Sequence, residues 1–396
     1  MSAPRRRLSD LSPEELRERV QASGLRGRGG GQFPVGLKWQ AVAREDGERL
    51  VVANGAEGEP GSIKDRYVMT TRSSEVLEGL ALAARAVGAS EATVYLKGSF
   101  SAAAAALQGA RAASDLPGLR IDVRLGEESY IVGEETALLE SLEGRRAWPR
   151  PKPPYPAAVG YQGRPTLVQN VETLSRVPAA VSDPDAFRAA PAALVSLWGH
   201  VARPGVYEVR LGTPLRALID EQGGGAPDGV SLVFPAGPSA GPLPPDRLDT
   251  PLEADALRAA GSALGTASVL VVGASCDNLA VLSSLAAFFE RESCGQCPPC
   301  TVGTATLHRI VGAVARGAAR QKDHRDFAEA AGFMKDHGYC AHCPTAAASV
   351  GALLERCRGG GPAGRACRPF DPDSPERRAI EAVAARFALP AASEVR

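Results

Sequence analysis

The chain has 396 residues, and its 45 basic and 45 acidic side chains give a formal net charge of zero. This balance gives no reason to expect binding to nucleic acid or to an anionic membrane surface, and no stretch reaches the roughly 18 apolar residues of a membrane span. The N-terminal stretch lacks the apolar core of a secretion signal, so we expect a soluble protein of a reducing compartment with two or three domains.

The first half of the chain predicts strands that alternate with helices. A helix begins after Ser12, which can cap it, Glu15 can return a hydrogen bond to the cap, and the helix ends near Gly24. The residue pattern then predicts strands over 50–53, 92–97 and 121–125, with helices over 74–87 and 101–114. This alternation indicates a parallel sheet in an α/β fold. The region 146–170 is rich in Pro and Gly and is predicted to be an extended, ordered surface loop.

The second half of the chain predicts a different order of strands and helices. Two strands, a helix and a further strand indicate a small β-grasp domain, and they are predicted over 194–200, 205–209, 213–222 and 230–234. After a strand over 267–273, the pattern predicts helices over 304–314, 326–334, 345–356 and 375–387. The glycine run 359–362 predicts a flexible join before a C-terminal tail.

Five cysteines in the C-terminal half have the spacing of a metal site. Cys294, Cys297 and Cys300 form a C-x2-C-x2-C run, the compact half of a [4Fe–4S] ligand set, and Cys340 is a candidate fourth ligand. Two C-x-x-C pairs, the second ending at Cys343, would instead hold a structural zinc but leave Cys300 without a role. Structural thiols or disulfides are a third alternative. From spacing alone, both Cys340 and Cys343 remain open as the fourth cluster ligand.

Three further segments are candidates for a ligand site. The loop 27–31 has the composition of a phosphate cradle, since glycines let backbone N–H groups approach an anion, and Lys38 could add a positive charge. Because this loop precedes the first strong strand, it does not fit a dinucleotide fingerprint. The segments 54–61 and 130–138 place glycines and carboxylates after predicted strands, where α/β proteins bind ligands. Taken singly, the three also fit a flexible loop, a solvated turn and an acidic helix start.

Together these segments resemble one known family. Collinear motifs over about residues 20–355 are similar to the FMN-carrying, NADH-oxidising subunit of respiratory complex I. The same subunit type serves as the diaphorase subunit of NAD-linked formate dehydrogenases and hydrogenases. The matching motifs are SGLRGRGG at 23–30, FP at 33–34, GLKW at 36–39, GEETALL at 133–139, NVET at 170–173 and ESCGQC at 292–297.

The resemblance implies an α/β fold class with three parts. These are a Rossmann-like flavin domain that binds FMN and NADH over 1–185, a small ubiquitin-like β-grasp (soluble-ligand-binding β-grasp) domain over 190–275, and a C-terminal helical bundle with an iron–sulfur cluster over 276–358. The tail over 359–396 has no assigned role.

The resemblance also implies the site residues. The positions that bind FMN are Gly27, Gly29, Lys38, Asn54, Glu57, Tyr130, Gly133, Glu134, Asn170 and Thr173. The positions that bind NADH are Phe33, Glu59, Glu135 and Tyr155. Glu135 is the implied catalytic residue, which orients the nicotinamide or limits superoxide-forming states of the flavin and is not a general base.

For the cluster, the resemblance implies the ligands Cys294, Cys297, Cys300 and Cys340. Cys343 then falls where the family usually has glycine. The remaining three cysteines are expected to be buried or idle thiols, namely Cys276, Cys357 and Cys367.

The implied activity is that of an NADH dehydrogenase subunit, an NADH:quinone or NADH:acceptor oxidoreductase. NADH transfers hydride to FMN, and single electrons then pass through the [4Fe–4S] cluster to partner subunits. The expected partners are a thioredoxin-like [2Fe–2S] subunit and further iron–sulfur or quinone-, formate- or hydrogen-side subunits, with no nucleic acid. The expected location is cytoplasmic, with membrane association through partner subunits.

Two alternatives accompany this interpretation. One is a diaphorase subunit of a soluble NAD-dependent formate dehydrogenase or hydrogenase. The other is a degenerate subunit without flavin that acts as an electron relay or scaffold. Two departures from the family pattern favour the second, because an acid is usual where Ala56 stands and a glycine where Gln32 stands. A further departure is Gln169, where the family usually has asparagine.

Overall fold

The computed structural model describes residues 8–357 and 364–387, which divide into two compact units. The first unit comprises 8–57, 64–192 and 386–387, and the second comprises 58–63, 193–357 and 364–385. The join predicted at 359–362 lies outside the described residues, as does the tail beyond 387. Within the described ranges, no helix combines the length and apolar character needed to cross a bilayer.

The first unit alternates helices with four strands. Its elements are α1 Pro13–Ala22, α2 Val35–Ala43, β1 Leu50–Gly55, α3 Lys64–Thr71, α4 Ser73–Val87, β2 Glu91–Lys97, α5 Ser101–Ala113, β3 Arg120–Gly126, α6 Glu135–Leu142, β4 Thr166–Asn170, α7 Val171–Ser182 and α8 Pro184–Ala189. The predicted capping box of α1 is confirmed, because Ser12 Oγ accepts from Glu15 N and the Glu15 carboxylate accepts from Ser12 N. The predicted helices and strands between residues 50 and 126 are all present.

The four strands form one parallel sheet in the order β3-β2-β1-β4. Strand β1 lies inside the sheet, and Leu50–Ala53 are buried because both of its neighbours and helices cover them. The chain first moves from β1 to β2 and β3 on one side and then returns to place β4 on the other side. The boundary between β1 and β4 is therefore a topological switch point, where open α/β sheets leave a crevice at the carboxyl ends of their strands.

The prediction of a surface loop over 146–170 was wrong at its end. Residues Thr166–Asn170 form β4, which pairs with β1 along its whole length. The strand has only five residues and follows a Pro-rich stretch, so the composition of the region predicted a loop. The strand is stabilised by pairing with β1 and by the burial of Leu167 and Val168. No local sequence pattern predicts these contacts.

The second unit contains a mixed sheet and a helical region. Its elements, apart from the first residue of β5 and the last two of α15, are β5 Ala192–Gly199, β6 Gly205–Arg210, α9 Leu215–Ala217, β7 Val230–Pro238, α10 Ala254–Ala259, β8 Ser268–Gly273, α11 Asn278–Arg291, α12 Pro298–Ala315, α13 Gln321–His337, α14 His342–Cys357 and α15 Pro375–Phe387. The sheet order is β6-β5-β8-β7, with β8 parallel to β5 and antiparallel to β7. The predicted strand–strand–helix–strand succession is confirmed, and one π turn over Leu218–Gln222 continues α9.

The helices α11 to α14 pack against one another, and α11 was not predicted. The segment that follows residue 364 also belongs to this unit. Phe370 packs edge-on against Phe234 and lies beside Phe288, while its N–H donates to Ser284 Oγ. This part of the tail is thus a packed element of the second unit.

The expectation that Cys276 and Cys367 are idle thiols was wrong, because they form a disulfide. Their separation is 91 residues along the chain. The backbone at Arg365 runs beside Cys276, with Arg365 N donating to Ser275 O and Asp277 N donating to Arg365 O. This local pairing holds the two sulfur atoms together, and spacing in the sequence does not reveal it. Cys357 is buried and free, as expected.

Candidate functional site

The glycine loop 27–31 lies over the end of β4. Gly27 N donates to Phe33 O at 2.9 Å, and Arg28 N donates to Thr173 Oγ1 at 2.8 Å. A Cβ added at Gly29 would lie 3.2 Å from Asn170 Cβ, so a side chain there would crowd the strand end. The loop therefore comes close to the carboxyl end of β4 and the first turn of α7. Gln32, at the position where glycine is usual, has a φ of +50°, in the left-handed region that glycine favours.

Two asparagines mark the neighbouring strand ends. Asn54 Nδ2 donates to Gly133 O at 2.9 Å, which ties the end of β1 to the segment before α6. Asn170 Oδ1 accepts from the N–H groups of Glu172 and Thr173 and so caps α7. Its Nδ2 donates to Asp65 Oδ2 at 2.8 Å. Both asparagines are thus held in fixed orientations at the switch point.

Glu134 and Glu135 form an acid pair at the start of α6. Glu134 caps the helix, since its Oε2 accepts from the N–H groups of Thr136 and Ala137. Lys152 Nζ lies 2.7 Å from Glu134 Oε1 and 3.0 Å from Glu135 Oε1. Lys38 Nζ lies 2.8 Å from Glu135 Oε2. The site therefore holds two carboxylates that Lys152 bridges, and Lys38 pairs with one of them, Glu135.

The two lysines determine the charge state of Glu135. Burial by itself raises the pKa of this carboxyl, but the charges and hydrogen bonds of Lys38 and Lys152 outweigh burial and lower its pKa to about 2. Glu135 is accordingly ionised at neutral pH and is not a proton donor there. The pKa of Lys152 is raised, because the attraction of Glu134 and Glu135 exceeds the effect of burial. Lys152 was not predicted as a site residue, because in the sequence it is only the lysine of a Lys-Pro-Pro run within the predicted loop 146–170.

A second group of buried charges supports Asn170. Lys64 Nζ lies 2.7 Å from Asp65 Oδ1 and 3.0 Å from Glu172 Oε2, and all three side chains are almost fully buried. Burial raises the pKa of Asp65, and the carboxylates of Glu57 and Glu172 add to this effect against the attraction of Lys64. Since Asp65 also accepts from Asn170, this group fixes the amide at the end of β4. Lys64, Asp65 and Glu172 were not among the predicted site residues.

The predicted FMN position Glu57 has partners within the first unit. Its carboxylate accepts from Asp65 N at 3.0 Å and pairs with Arg66 Nε at 3.2 Å, which stabilises the start of α3. The neighbouring Ala56 is buried, and its N–H donates to Asn54 Oδ1 at 3.1 Å. Position 56 therefore faces the same strand-end region as Asn54, and a Cβ at Gly133 would lie 3.1 Å from Ala56 O.

The predicted NADH positions differ in exposure. Phe33 and Tyr155 are 56% and 58% exposed, which leaves their rings open to a stacking partner. Tyr130, a predicted FMN position, comes directly before the short helical turn Ile131–Gly133. Glu59 belongs to the second unit, where its Oε1 accepts from Ser239 N at 3.2 Å. The structure therefore gathers all the predicted FMN positions in one unit and leaves Glu59 in the other.

The residues of the first unit fit a phosphate-bearing flavin. Gly29 is exposed beside the crowded end of β4, and α7 begins at the same place, where a helix favours negative charge. Gln169 Oε1 is buried there with no hydrogen-bond partner in the described chain, so an acceptor remains for a ligand donor. A ligand with a phosphate and a polar ring would satisfy these groups.

The cysteines form a second candidate site, entirely within the second unit. Cys294 precedes α12, Cys297 occupies its N-cap position without a capping hydrogen bond from the side chain, and Cys300 lies in its first turn. Cys343 lies in the first turn of α14 and its thiol donates to the Cys300 sulfur, which lowers the pKa of Cys300 to about 7. The pKa of Cys343 is raised by that hydrogen bond, by burial and by the nearby thiols of Cys300, Cys297 and Cys340. Burial raises the pKa of Cys294.

This arrangement fits an iron–sulfur cluster. The thiols of the C-x2-C-x2-C run lie at the start of α12, and those of Cys340 and Cys343 lie at the start of α14. The two helices pack against each other, so soft thiolate ligands converge there. Ser293 Oγ lies 3.4 Å from Cys300 Sγ and supplies a hydrogen bond to a ligand sulfur. The structure brings Cys343 into the group as well as Cys340, so the predicted choice of Cys340 as fourth ligand stays a prediction.

Three family models match the chain in the same order as these features. Residues 20–179 match the Nuo51 FMN-binding domain, residues 194–242 match the SLBB domain, and residues 280–359 match the NADH-ubiquinone oxidoreductase-F iron-sulfur binding region. The last range contains all five clustered cysteines.

Similar proteins cover almost the whole chain. An F subunit of NADH-quinone oxidoreductase from Rhizobium meliloti is 36% identical over 378 residues, which are 90% of this chain and 90% of the relative. The F subunit of the Escherichia coli NADH-quinone oxidoreductase is 35% identical over 89% of this chain and 85% of the relative. The protein of the same description in Streptomyces coelicolor is 36% identical over 91% of this chain and 86% of the relative.

Solved structures also match. A chain of an NAD+-reducing [NiFe]-hydrogenase in the H2-reduced state has a TM-score of 0.82 and 34% identity. The match covers 89% of the present chain and 64% of the hydrogenase chain, so the hydrogenase chain is considerably longer. The same type of enzyme in the air-oxidized state matches with a TM-score of 0.81 and 32% identity.

Proposed function

We propose how the residues of this chain serve its activity, starting from its family: the chain belongs to the F-subunit family of NADH-quinone oxidoreductases and is an NADH dehydrogenase subunit. Membership confirms the predicted family, fold class, activity and cofactors. The iron–sulfur match over residues 280–359 also decides between the metal alternatives left open by spacing, in favour of a [4Fe–4S] cluster over zinc. The division of the chain at 185, 275 and 358 stays a prediction.

The FMN would be held at the crevice between β1 and β4. The observation that supports this most directly is the parallel pairing of Asn54 with Asn170, under the glycine loop and at the switch point of the sheet. In this proposal Gly27 and Gly29 open the backbone to the phosphate, and Asn54, Asn170 and Thr173 bind polar groups of the flavin. The other proposed FMN contacts are Lys38, Glu57, Tyr130, Gly133 and Glu134.

NADH would lie against the exposed aromatic rings of Phe33 and Tyr155 and near Glu135. When bound, FMN supplies the exchange between two-electron and one-electron transfer, and the cluster supplies one-electron transfer onward. Glu135 stays ionised between Lys38 and Lys152, so its carboxylate orients the dinucleotide as a hydrogen-bond acceptor. The lysines fix the position of that carboxylate and prevent it from taking up a proton at neutral pH.

Electrons would leave through partner subunits. An iron–sulfur protein is the chemical class of partner that accepts single electrons, and we infer that a thioredoxin-like [2Fe–2S] subunit and further iron–sulfur subunits fill this role. Membrane association would then arise through the partners, since no described helix crosses a membrane.

The test uses the full chain, loaded anaerobically with FMN and its cluster. NADH should bleach the flavin absorbance, and Phe33→Ala should weaken NADH affinity about 5- to 150-fold, the range expected for one stacked base. Phe333→Ala is the matched control, since Phe333 is 53% exposed and lies on α13. A fully loaded holoprotein whose spectrum NADH leaves unchanged contradicts the proposal.

A second candidate is the diaphorase role in an NAD-linked hydrogenase or formate dehydrogenase. The observation that favours it is the match to the NAD+-reducing hydrogenase at a TM-score of 0.82. Purification of the native complex under anaerobic conditions separates the two, because a hydrogen- or formate-oxidising subunit in the complex supports the diaphorase role and a quinone-reducing subunit supports the first.

A further inference from the structure

A polar cluster of four side chains lies in the second unit, apart from the cysteines of the iron–sulfur region. It consists of His200 after β5, Cys276 after β8, Cys367 in the C-terminal segment and Glu376 in the first turn of α15. One ligand atom of each of His200, Cys276 and Cys367 lies within 4.8 Å of the others. The cluster therefore unites four separate segments of the chain at one point.

The distances from His200 are those of a tetrahedral metal site. His200 Nε2 lies 3.6 Å from Cys276 Sγ, 3.9 Å from Cys367 Sγ and 3.4 Å from Glu376 Oε1. With zinc–sulfur bonds of about 2.3 Å and zinc–nitrogen or zinc–oxygen bonds of about 2.0–2.1 Å, tetrahedral angles place neighbouring N and S ligands about 3.6 Å apart and N and O ligands about 3.3 Å apart. The three measured distances from His200 Nε2 are thus close to the ligand-to-ligand distances of a tetrahedral zinc site.

The His200 side chain is also held in place for a metal. Arg365 Nη2 lies 2.6 Å from His200 Nε2, and because a guanidinium can only donate, Nε2 acts as the acceptor in this contact. The ring is fixed from behind, because a Cβ on Gly273 would lie 3.2 Å from His200 Cγ, and His200 N donates to Val271 O.

Glu376 gives an independent indication of a ligand. Its side chain is 7% exposed, and its Oε2 has no hydrogen-bond partner in the described chain. A buried carboxylate oxygen without a partner is costly unless a cation or donor compensates it. A cavity of about 550 Å³, lined by Arg365, Cys367 and Glu376 among others, opens onto the cluster and gives a metal ion access to it.

We propose that Cys276, Cys367, His200 and Glu376 form a zinc site when the two cysteines are reduced. Two thiolates and one carboxylate around Zn2+ give the site a net charge of −1. Arg365 is exposed, so its guanidinium can leave Nε2 and balance that charge from the rim. In the described state the two sulfur atoms are instead joined as a disulfide.

The conversion balances with a dithiol as reductant. The dithiol loses two electrons and two protons and becomes a disulfide, while the Cys276–Cys367 bond breaks and takes up those electrons. Both cysteine sulfurs then bind Zn2+ as thiolates, so the net change releases two protons for each zinc bound. The disulfide and the zinc site are alternative states of the same two sulfur atoms.

The test uses the anaerobic full chain with its iron–sulfur cluster loaded. The protein is reduced with dithiothreitol, given equimolar Zn2+ and then freed of excess metal by gel filtration. We expect one zinc per chain at an unchanged iron content of about four per chain, and X-ray absorption at the zinc edge should show a shell of two sulfur and two lighter ligands. X-ray absorption at the zinc edge reports on zinc alone, so the cysteines of the iron–sulfur cluster do not contribute to the spectrum while they hold iron.

Variants assign the ligands. The double variant Cys276→Ser, Cys367→Ser should lose the zinc and keep the iron. Glu376→Gln should weaken zinc binding at least about tenfold, because loss of even a residue that only hydrogen-bonds to a metal ligand has an effect of that size. Glu381→Gln on the same helix is the control and should retain zinc, since Glu381 lies near Arg377 rather than in the cluster. The wild-type spectrum remains informative if the double variant fails to fold.

Three results would overturn the proposal. One is a reduced wild-type chain that binds no zinc at equimolar metal. Another is a double variant that retains both zinc and iron. The third is a Cys276–Cys367 pair that resists the dithiol, as alkylation followed by mass spectrometry would show, because the pair would then be a structural disulfide only.

Discussion

Asn54 and Asn170 lie opposite each other on the adjacent parallel strands β1 and β4. Asn54 is the next-to-last residue of β1 and donates to the carbonyl of Gly133, whereas Asn170 is the last residue of β4 and caps α7. Because the chain reverses its direction of sheet growth between these strands, their ends face a crevice. The proposed FMN site is therefore a consequence of topology, and the polar side chains at its base are fixed before a ligand arrives.

Asn170 should be important for both the fold and the flavin. Asn170→Ala removes the cap of α7, which costs about 1 kcal/mol. It also leaves the buried Asp65 oxygen without its donor, which costs about a further 1–3 kcal/mol. Urea unfolding of the FMN-free chain should show this loss, and FMN titration should show weaker binding.

Asp183→Ala is the matched control for this variant. Asp183 caps α8 at the opposite end of α7 and is exposed, so its loss should lower stability by about 1 kcal/mol or less and leave FMN affinity unchanged. Equal effects of the two variants on FMN affinity would contradict the placement of the flavin at the end of β4.

Substitutions at position 56 test whether the absence of the acid that is usual in the family weakens FMN binding. Ala56 is buried beside Asn54, so Ala56→Asp should lower the stability of the FMN-free chain by about 1–3 kcal/mol through an unsatisfied carboxylate. With FMN present, one regained charged hydrogen bond should raise FMN affinity about 10- to 150-fold. Ala56→Asn, of similar size without the charge, should give a smaller gain.

The outcome at position 56 also bears on the degenerate alternative. If the natural chain binds no FMN and Ala56→Asp restores full occupancy, the relay or scaffold role gains support. If the natural chain already holds stoichiometric FMN, that alternative is excluded.

Much of the fold could be predicted from the sequence, because it depends on local pattern. The capping box at Ser12, the alternation that gives β1 to β3, and the helix that starts at Pro375 are all present where expected. The residues that escaped prediction depend on partners far away in the chain. Strand β4 depends on β1, and the Cys276–Cys367 bond depends on a backbone pairing at Arg365.

The candidate site shows the same division. Glu134, Glu135 and Lys38 lie in motifs that could be recognised, whereas Lys152 comes from an irregular loop with no periodicity. Its role is visible only once the loop is folded back onto α6. Likewise, Lys64 and Asp65 reveal their support of Asn170 only through contacts between α3 and the end of β4.

Lys152 should hold Glu135 in its ionised form. The pKa of Glu135 is about 2 in the folded chain and about 4.3 in the unfolded chain, so the stabilisation is present above pH ~4.5 and is lost as pH falls toward 2. Lys152→Met leaves only Lys38, so the folded pKa should rise and the stability gain should shrink by about 1 kcal/mol. Urea unfolding followed by tryptophan fluorescence should show a weaker loss of stability between about pH 5 and pH 3 in the variant than in the natural chain.

Lys322→Met is the control for that experiment. Lys322 forms an exposed pair with Asp326, which contributes little because solvent screens it, so this variant should follow the pH dependence of the natural chain. An identical pH dependence in Lys152→Met would show that Lys152 does not stabilise the Glu135 carboxylate.

The fourth cluster ligand can be decided between Cys340 and Cys343. The structure places both near the C-x2-C-x2-C run, and Cys343 is the more buried, with its thiol on the Cys300 sulfur. The resemblance favours Cys340, because the family usually has glycine at position 343 and therefore no ligand there. We expect Cys340→Ser to lose the cluster, measured as iron per chain and visible absorbance, and Cys343→Ala to retain about four irons per chain. Retention of the cluster in Cys340→Ser together with its loss in Cys343→Ala would make Cys343 the ligand and Cys340 the spare thiol.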